Sequence, residues 1–250
     1  MARRLALVTG ATQGIGRAIA VRLAAGGDLV AVNGPRADEQ LDAVVAEVGG
    51  VPAVADLADR EQVRAAVARL EEEHGPVEVL VANHAYMTMA PLLEHPLDDW
   101  WRILDVNLSG TFWAVQAVLP GMRRAGGGRI VVLASEWGVT GWPNATAYAG
   151  SKAGLIALTK TLGRELAPEG VIVNAVAPGV TDTPQLEVDA RDAQVDLATM
   201  HARYAEDIPL GRIGRPAEIA GVVAALCDPA QAAFVGQVVQ VNGGSTRTRA

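Results

Sequence analysis

Leu5-Ala6-Leu7-Val8-Thr9-Gly10-Ala11-Thr12-Gln13-Gly14-Ile15-Gly16-Arg17-Ala18-Ile19-Ala20-Val21-Arg22-Leu23-Ala24 is the stretch on which the fold turns. Leu5 to Val8 read as a buried strand, and Arg17 to Ala24 as a helix. Between them Gly10, Gly14 and Gly16 permit a tight turn and close backbone approach. A helix that starts there offers free N–H groups and a partial positive charge to a phosphate. A plain strand-to-helix turn is the alternative. The second apolar run, Leu29-Val30-Ala31-Val32, completes a βαβ unit.

Working outward, the same alternation continues. Further strand-like runs are Val51–Asp56, Val77–Asn83, Arg129–Leu133, Val171–Val176 and Val238–Val241. Between them lie an amphipathic helix over 37–48, a helix over 60–73 and a long helix from Asp98 through Leu119. Another helix runs from Tyr148 to Leu166, and Arg215-Pro216-Ala217-Glu218 opens the last, with Pro216 in its first turn. About seven strands alternating with helices predict a single α/β domain over 1–250. It is a Rossmann-type, doubly wound parallel sheet with helices on both faces. Residues 185–208 are polar, acid-rich and helix-permissive, and are expected to form a substrate lid. Residues 245–250 are expected to be a loose tail.

Composition narrows the partners. The chain has 250 residues, 50% of them hydrophobic, enough for a substantial core. Charged residues are 20% and the net charge is −7, so neither nucleic acid nor an anionic membrane is expected as partner. The one cysteine, Cys227, excludes an internal disulfide and fits a reducing compartment, so a cytoplasmic location is expected. It lies in Ala224-Ala225-Leu226-Cys227 and reads as core filler. The apolar run before Thr9 is far shorter than the about 20 residues that span a bilayer. No metal site is expected.

Ligands of such sheets sit at the carboxyl ends of the strands. Gly14, Asp56, Asn83, Ser135 and Pro178-Gly179 all stand at such ends. After the second strand a carboxylate would bind the ribose of NAD, and a cation would accept the extra phosphate of NADP. Asn33-Gly34-Pro35-Arg36 has no acid and one arginine, which favours NADP; the neutral Gln13 leaves NAD open. Asp56 can bond an adenine amino group or cap the next helix. His74 reads as a cation at a helix C-terminus. His84 has no Ser, Cys or acid linked to it in sequence and does not read as a catalytic base.

Ser135-Glu136-Trp137-Gly138 leads through Trp142-Pro143 to Tyr148-Ala149-Gly150-Ser151-Lys152. Tyr148 and Lys152 share one helix face. An ammonium beside a phenol favours the phenolate and lowers its pKa from about 10. Ser135 can hold a substrate oxygen. A surface tyrosine and lysine on an ordinary helix is the alternative. Asn107 lies within the long helix, where an amide is often a surface or packing residue. Trp137, Trp142, Tyr86 and Met87 suggest an apolar or ring-bearing substrate; ordinary core tryptophans are the alternative.

Together these residues resemble the short-chain dehydrogenase/reductase family, in its ketoacyl-reductase-like branch, from Leu5 to Gly244. Thr9-Gly10-x-x-x-Gly14-x-Gly16 is similar to its cofactor turn, and Asn83 to the Asn of its fourth-strand Asn-Ala-Gly motif. Asn107, Ser135, Tyr148 and Lys152 match its catalytic tetrad in order and spacing; Pro178-Gly179 and Thr183 match the segment that holds the nicotinamide carboxamide. The resemblance implies reversible carbonyl reduction. Tyr148 would give or take the proton, and Lys152 would lower its pKa and hold the nicotinamide ribose. Ser135 would orient the substrate oxygen, and Asn107 would help hold a water chain. The implied cofactor site is Gly10, Thr12, Gln13, Gly14, Ile15, Gly16, Arg36, Asp56, Leu57, Asn83, Tyr148, Lys152, Pro178, Gly179, Thr181 and Thr183. The implied substrate site is Ser135, Tyr86, Trp137, Trp142 and Tyr148, and a homotetramer is implied. His84-Ala85-Tyr86 and Thr181 depart from the family pattern beside the site.

A free small-molecule carbonyl or alcohol is the preferred substrate. A 3-oxoacyl-carrier-protein reductase is the alternative. It would dock an acidic partner on cations such as Arg123-Arg124, and the net charge and Glu169 stand against it. A non-catalytic dinucleotide-binding sensor or scaffold would have lost Tyr148 or Lys152. Isomerases and epimerases on a similar fold usually carry a larger substrate-binding region.

Overall fold

Short runs of branched and aliphatic residues, each ended by Gly, Pro or a polar residue, make the strands of a computed structural model that describes residues 3–246. The strands are β1 (Leu5–Val8), β2 (Leu29–Gly34), β3 (Val51–Val54), β4 (Val77–Ala82), β5 (Gly128–Leu133), β6 (Val171–Pro178) and β7 (Val238–Val241). All pair in parallel, in the order β3-β2-β1-β4-β5-β6-β7. The helices are α1 (Gly14–Ala25), α2 (Glu39–Val48), α3 (Arg60–His74), α4 (Leu97–Leu104), α5 (Gly110–Ala125) and the short α6 (Trp137–Thr140). They continue with α7 (Thr146–Leu166), α8 (Gln185–Asp192), α9 (Leu197–Glu206) and α10 (Pro216–Leu226).

Side chains alternate across the sheet, so each strand feeds two cores. Leu5 and Leu7 enter one with Val67 of α3, Val118 of α5 and Leu155 of α7. Ala6 and Val8 enter the other with Ile19 of α1, Val44 of α2 and Val223 of α10. The expected doubly wound sheet with both faces covered is present. Among the described residues no helix is long and apolar enough to cross a membrane.

Three local details follow from the structure. The long helix expected from Asp98 through Leu119 is broken by a π-helical turn, Asp105–Ser109, between α4 and α5. The widening follows from tight packing: at Gly110 a Cβ would lie 2.5 Å from the Leu57 carbonyl. Residues 185–208 hold α8 and α9, and Leu186 joins Ile208 and Ile213 in a small core of their own. The expected loose tail begins anchored: Ser245 donates to Glu136, and the Thr246 hydroxyl accepts from Asn242 Nδ2 at 2.6 Å. The rest of that tail lies outside the described residues.

Candidate active site

The chain winds one way from β1 to β3 and the other way from β4 to β7. The loops that leave β1 and β4 therefore diverge and open a crevice at their carboxyl ends. Asn83, just past β4, rivets the glycine turn: its Nδ2 donates to the Thr9 and Gly10 carbonyls at 3.0 and 2.9 Å. At Gly16 a Cβ would lie 2.2 Å from the Gly10 carbonyl, and Gly10 itself has φ +58 and no room beside His84. The turn can close only because these positions lack side chains. Gln13 precedes α1 without capping it by its side chain, and the first turn carries no acid. Its N–H groups and partial positive charge stay available to an anion, so the residues present fit the diphosphate of a dinucleotide.

The crevice has a volume of about 530 Å³ and brings together Gly10, Thr12, Gln13, Gly14, Ile15, Gly16, Arg36, Asp56, Leu57, Asn83, Tyr148 and Thr183. Lys152, Pro178, Gly179 and Thr181 line the cavity that adjoins it, and Tyr148, Asn83 and Thr183 line both. Thr181 is buried, and its hydroxyl donates to the Gly179 carbonyl at 2.9 Å.

At the end of β2, Asn33 is committed to the fold. Its Oδ1 accepts from Gly10 N at 3.1 Å, and its Nδ2 donates to the Ala53 and Ala55 carbonyls at 2.8 and 3.1 Å. Arg36 is different: its side chain is 81% exposed and lies 3.5 Å from Asp38 Oδ2. Asp38 is also the cap of α2, accepting from Leu41 N. Asp56 lines the crevice and accepts from Ala58 N at 2.9 Å; the helix cap it was weighed as falls to Asp59, which accepts from Glu61 N and Gln62 N.

His84 is a satisfied core residue. Nε2 faces the Val106 carbonyl at 3.0 Å, and a carbonyl only accepts, so Nε2 carries the hydrogen. Nδ1 then takes the Thr9 hydroxyl at 2.7 Å. Burial, helped by the charge of Lys152, pushes its pKa down to about 3.

The catalytic candidates meet at the carboxyl end of β5. Ser135 follows β5, and α7 carries Tyr148 and Lys152 on one face. Tyr148 hydrogen-bonds Ser135, and burial outweighs that bond and pushes the phenol up to about 12. Lys152 is 2% exposed. Its Nζ donates to the Leu133 carbonyl at 2.7 Å and stands 5.5 Å from the centre of the Tyr148 ring. Burial brings its own pKa down to about 8. In this arrangement burial dominates the Tyr148 pKa. A buried ammonium needs an acceptor, and the strand-end carbonyl supplies one away from the phenol.

Asn107 sits in the π-helical turn, fully buried. Its Oδ1 accepts from Tyr86 N at 2.7 Å, and its Nδ2 donates to the Tyr86 carbonyl at 3.0 Å and the Ser151 hydroxyl at 3.1 Å. Ser151 in turn donates to the Tyr148 carbonyl at 2.7 Å. The amide expected to hold a water chain thus bonds protein groups directly. It ties the loop after β4 to the turn of α7 that bears Tyr148.

The adjoining cavity holds about 190 Å³ and lies between Ser135 and Tyr148 on one side and α8 and α9 on the other. Trp137 forms one wall, edge-on to Tyr148 with ring centres 5.9 Å apart. Trp142 stacks behind Trp137 at 4.9 Å and leans on Tyr204 of α9 at 6.5 Å; it backs the wall without lining it. Tyr86 does not reach this cavity. Its ring lies under the Arg102 guanidinium at 4.9 Å, and it lines the crevice instead.

The cavity also gathers Gln185, Leu186, Asp189 and Tyr204, which sequence reading did not single out as site residues. Gln185 and Asp189 show the one available signal, a spacing that places both on one face of α8. Glu136 lines the cavity as well, buried and with its carboxyl pushed up by that burial.

Comparison with known proteins agrees with this geometry. A family model described as Enoyl-(Acyl carrier protein) reductase matches residues 10–246. The chain is 37% identical to the 3-oxoacyl-[acyl-carrier-protein] reductase FabG of Thermotoga maritima, over 96% of this chain and 97% of the relative. It is 39% identical to the protein of that name from Aquifex aeolicus, over 96% of each. Among solved structures it resembles the ligand-free aldohexose dehydrogenase AldT of Thermoplasma acidophilum. The TM-score is 0.90 at 29% identity, over 100% of this chain and 98% of that one.

Proposed function

Because the chain belongs to the short-chain dehydrogenase/reductase family, in its ketoacyl-reductase-like branch, and is an NAD(P)-dependent oxidoreductase of carbonyl and alcohol groups, we propose that it acts on a free small molecule with NADP(H) preferred. The observation that carries the reading is the meeting of Ser135, Tyr148 and Lys152 on a cavity that adjoins the glycine-turn crevice.

The bound nicotinamide supplies or takes the hydride. Tyr148, held as a phenol by burial, would deliver its proton to the carbonyl oxygen in reduction; in oxidation its phenolate would take the proton of the alcohol. Ser135 holds the substrate oxygen beside that phenol. Lys152 would hold the nicotinamide ribose and, turned from the Leu133 carbonyl toward the phenol, would favour the phenolate. Asn107, through Ser151, keeps the Tyr148 turn in place. Pro178, Gly179, Thr181 and Thr183 would hold the carboxamide, and the α1 N-terminus the diphosphate. Arg36, exposed just past the end of β2 and 3.5 Å from Asp38 Oδ2, would take the phosphate that distinguishes NADP.

The names of the relatives support a second reading, reduction of a 3-oxoacyl group on a carrier protein. The surface argues for the free substrate. Arg123 pairs with Glu169, and Arg124 with Glu71 at 2.6 Å, so the cations that could greet an acidic carrier are already neutralised. The substrate printed in the name of the structural neighbour, an aldohexose, is also a free small molecule. A cytoplasmic homotetramer, with α8 and α9 as a lid, completes the reading.

Tyr148→Phe tests it. Turnover should fall at least about 10²-fold, the scale of general acid–base catalysis, while NADPH still binds in titration. Near-normal turnover would sink the assignment. NADPH and NADH compared on one carbonyl panel should show the preference, and Arg36→Ala should raise KM for NADPH while leaving that for NADH.

A further inference from the structure

We propose that the cavity takes a neutral ring bearing several hydroxyl groups, a cyclic polyol or its ketone, with Asp189 binding hydroxyls away from the reacting carbon. This rests on the oxidoreductase reading and names its substrate. The cavity, about 190 Å³, is small beside the crevice and has room for one small ring. Trp137 lines the cavity as an aromatic wall, made stiff by Trp142 stacked on it at 4.9 Å. Aromatic faces of this kind suit the apolar face of a saturated ring.

The polar lining decides what that ring carries. On the lid side Asp189 Oδ1 accepts from Gln185 at 3.1 Å and Oδ2 accepts from the Tyr204 hydroxyl at 3.3 Å. These two donors hold the carboxylate in place and leave lone pairs on both oxygens. Glu136 adds a second acid to the lining. Among the described residues Lys152 is the one cation that lines the cavity, and it lies at the redox end on the Leu133 carbonyl. A substrate with its own carboxylate or phosphate would meet like charge here. Hydroxyls both donate and accept, and so match the mixture of carboxylate, amide and phenol; an ammonium could use only the acceptors.

The test compares kcat/KM with the oxidised nicotinamide for a cyclic polyol, cyclohexanol, an aminocyclohexanol and a hydroxycyclohexane carboxylate, in the wild type and in Asp189→Ala and Asp189→Asn. The polyol should exceed cyclohexanol by at least about tenfold, and Asp189→Ala should cut that ratio by about tenfold, the scale of a hydrogen bond to a charged group. Asn should retain part of it. A ratio unmoved by both substitutions, or a preference for the carboxylate or the amine, overturns the proposal. Calorimetry of the polyol on Tyr148→Phe separates the two readings. Binding that Asp189→Ala weakens supports the proposal even if no alcohol is turned over; no binding overturns it even if another alcohol is oxidised.

Discussion

At the scale of single residues, the site depends on which polar groups are already taken. Asn33, Asn83, Asn107 and His84 all stand near the crevice, and each is bonded to the protein's own backbone. What remains for ligands is Ser135, Tyr148, Lys152, Arg36 and the lid carboxylate of Asp189. His84 yields a prediction with a definite sign. Its pKa is depressed from 6.5 to about 3 in the folded chain. Between those values the unfolded chain binds the extra proton, so His84 costs nothing above pH 6.5 and costs stability as pH falls toward 3. By pH 5 the loss is roughly 2 kcal/mol. His84→Gln should be less stable than the wild type at pH 7, and the gap should shrink by about that amount by pH 5 in urea melts. A gap that stays constant would mean the ring titrates in the fold as it does in the unfolded chain.

At the scale of elements, the strand–turn–helix at residues 5–25 is held by steric necessity more than by attraction. Gly16 faces the Gly10 carbonyl and Asn83 Nδ2, which a Cβ would meet at 2.2 and 2.5 Å. Gly16→Ala should therefore destabilise the fold by about 1–3 kcal/mol, the usual cost of overpacking. It should weaken NADPH binding as well, because the Asn83 bonds that shape the turn must give. A thermal melt and a fluorescence titration check both; an unshifted melting temperature would contradict the packing. The π-helical turn is the counterpart on the other side of the site. It lets Asn107 reach both the Tyr86 backbone and Ser151, two elements that an unbroken helix from Asp98 was not expected to join.

At the scale of the whole molecule, the segment around α4 exposes several large apolar side chains. Leu92 and Leu97 before and at the start of α4, Trp101 in it and Phe112 in α5 are exposed, with Leu93 98% and Trp101 57% accessible. Such a patch on a lone chain marks an interface. The expected homotetramer would bury it. Sedimentation should find an assembly larger than one chain, and Leu93→Asp with Trp101→Asp should shift it to smaller species; an unchanged assembly would place the interface elsewhere. Neither Leu93 nor Trp101 lines the crevice, so the variant should keep its NADPH affinity if the chain folds alone.

The fold was legible because its determinants are local: alternation of strand and helix, and glycines where a turn admits no side chain. The seven-stranded order, the crevice between β1 and β4, and the meeting of Ser135 with Tyr148 and Lys152 follow from chain topology that a sequence pattern implies. What only the tertiary structure decided concerns partners distant in sequence. Lys152 turned to the Leu133 carbonyl, Asn107 spent on Tyr86 and Ser151, and Tyr86 drawn under Arg102 all depend on which acceptor a folded neighbour presents. Tyr204 had no local mark either, and Asp189 only its spacing from Gln185 on α8. They face the cavity because α8 and α9 fold over it, and a hydrogen bond between residues on two helices is a property of their packing.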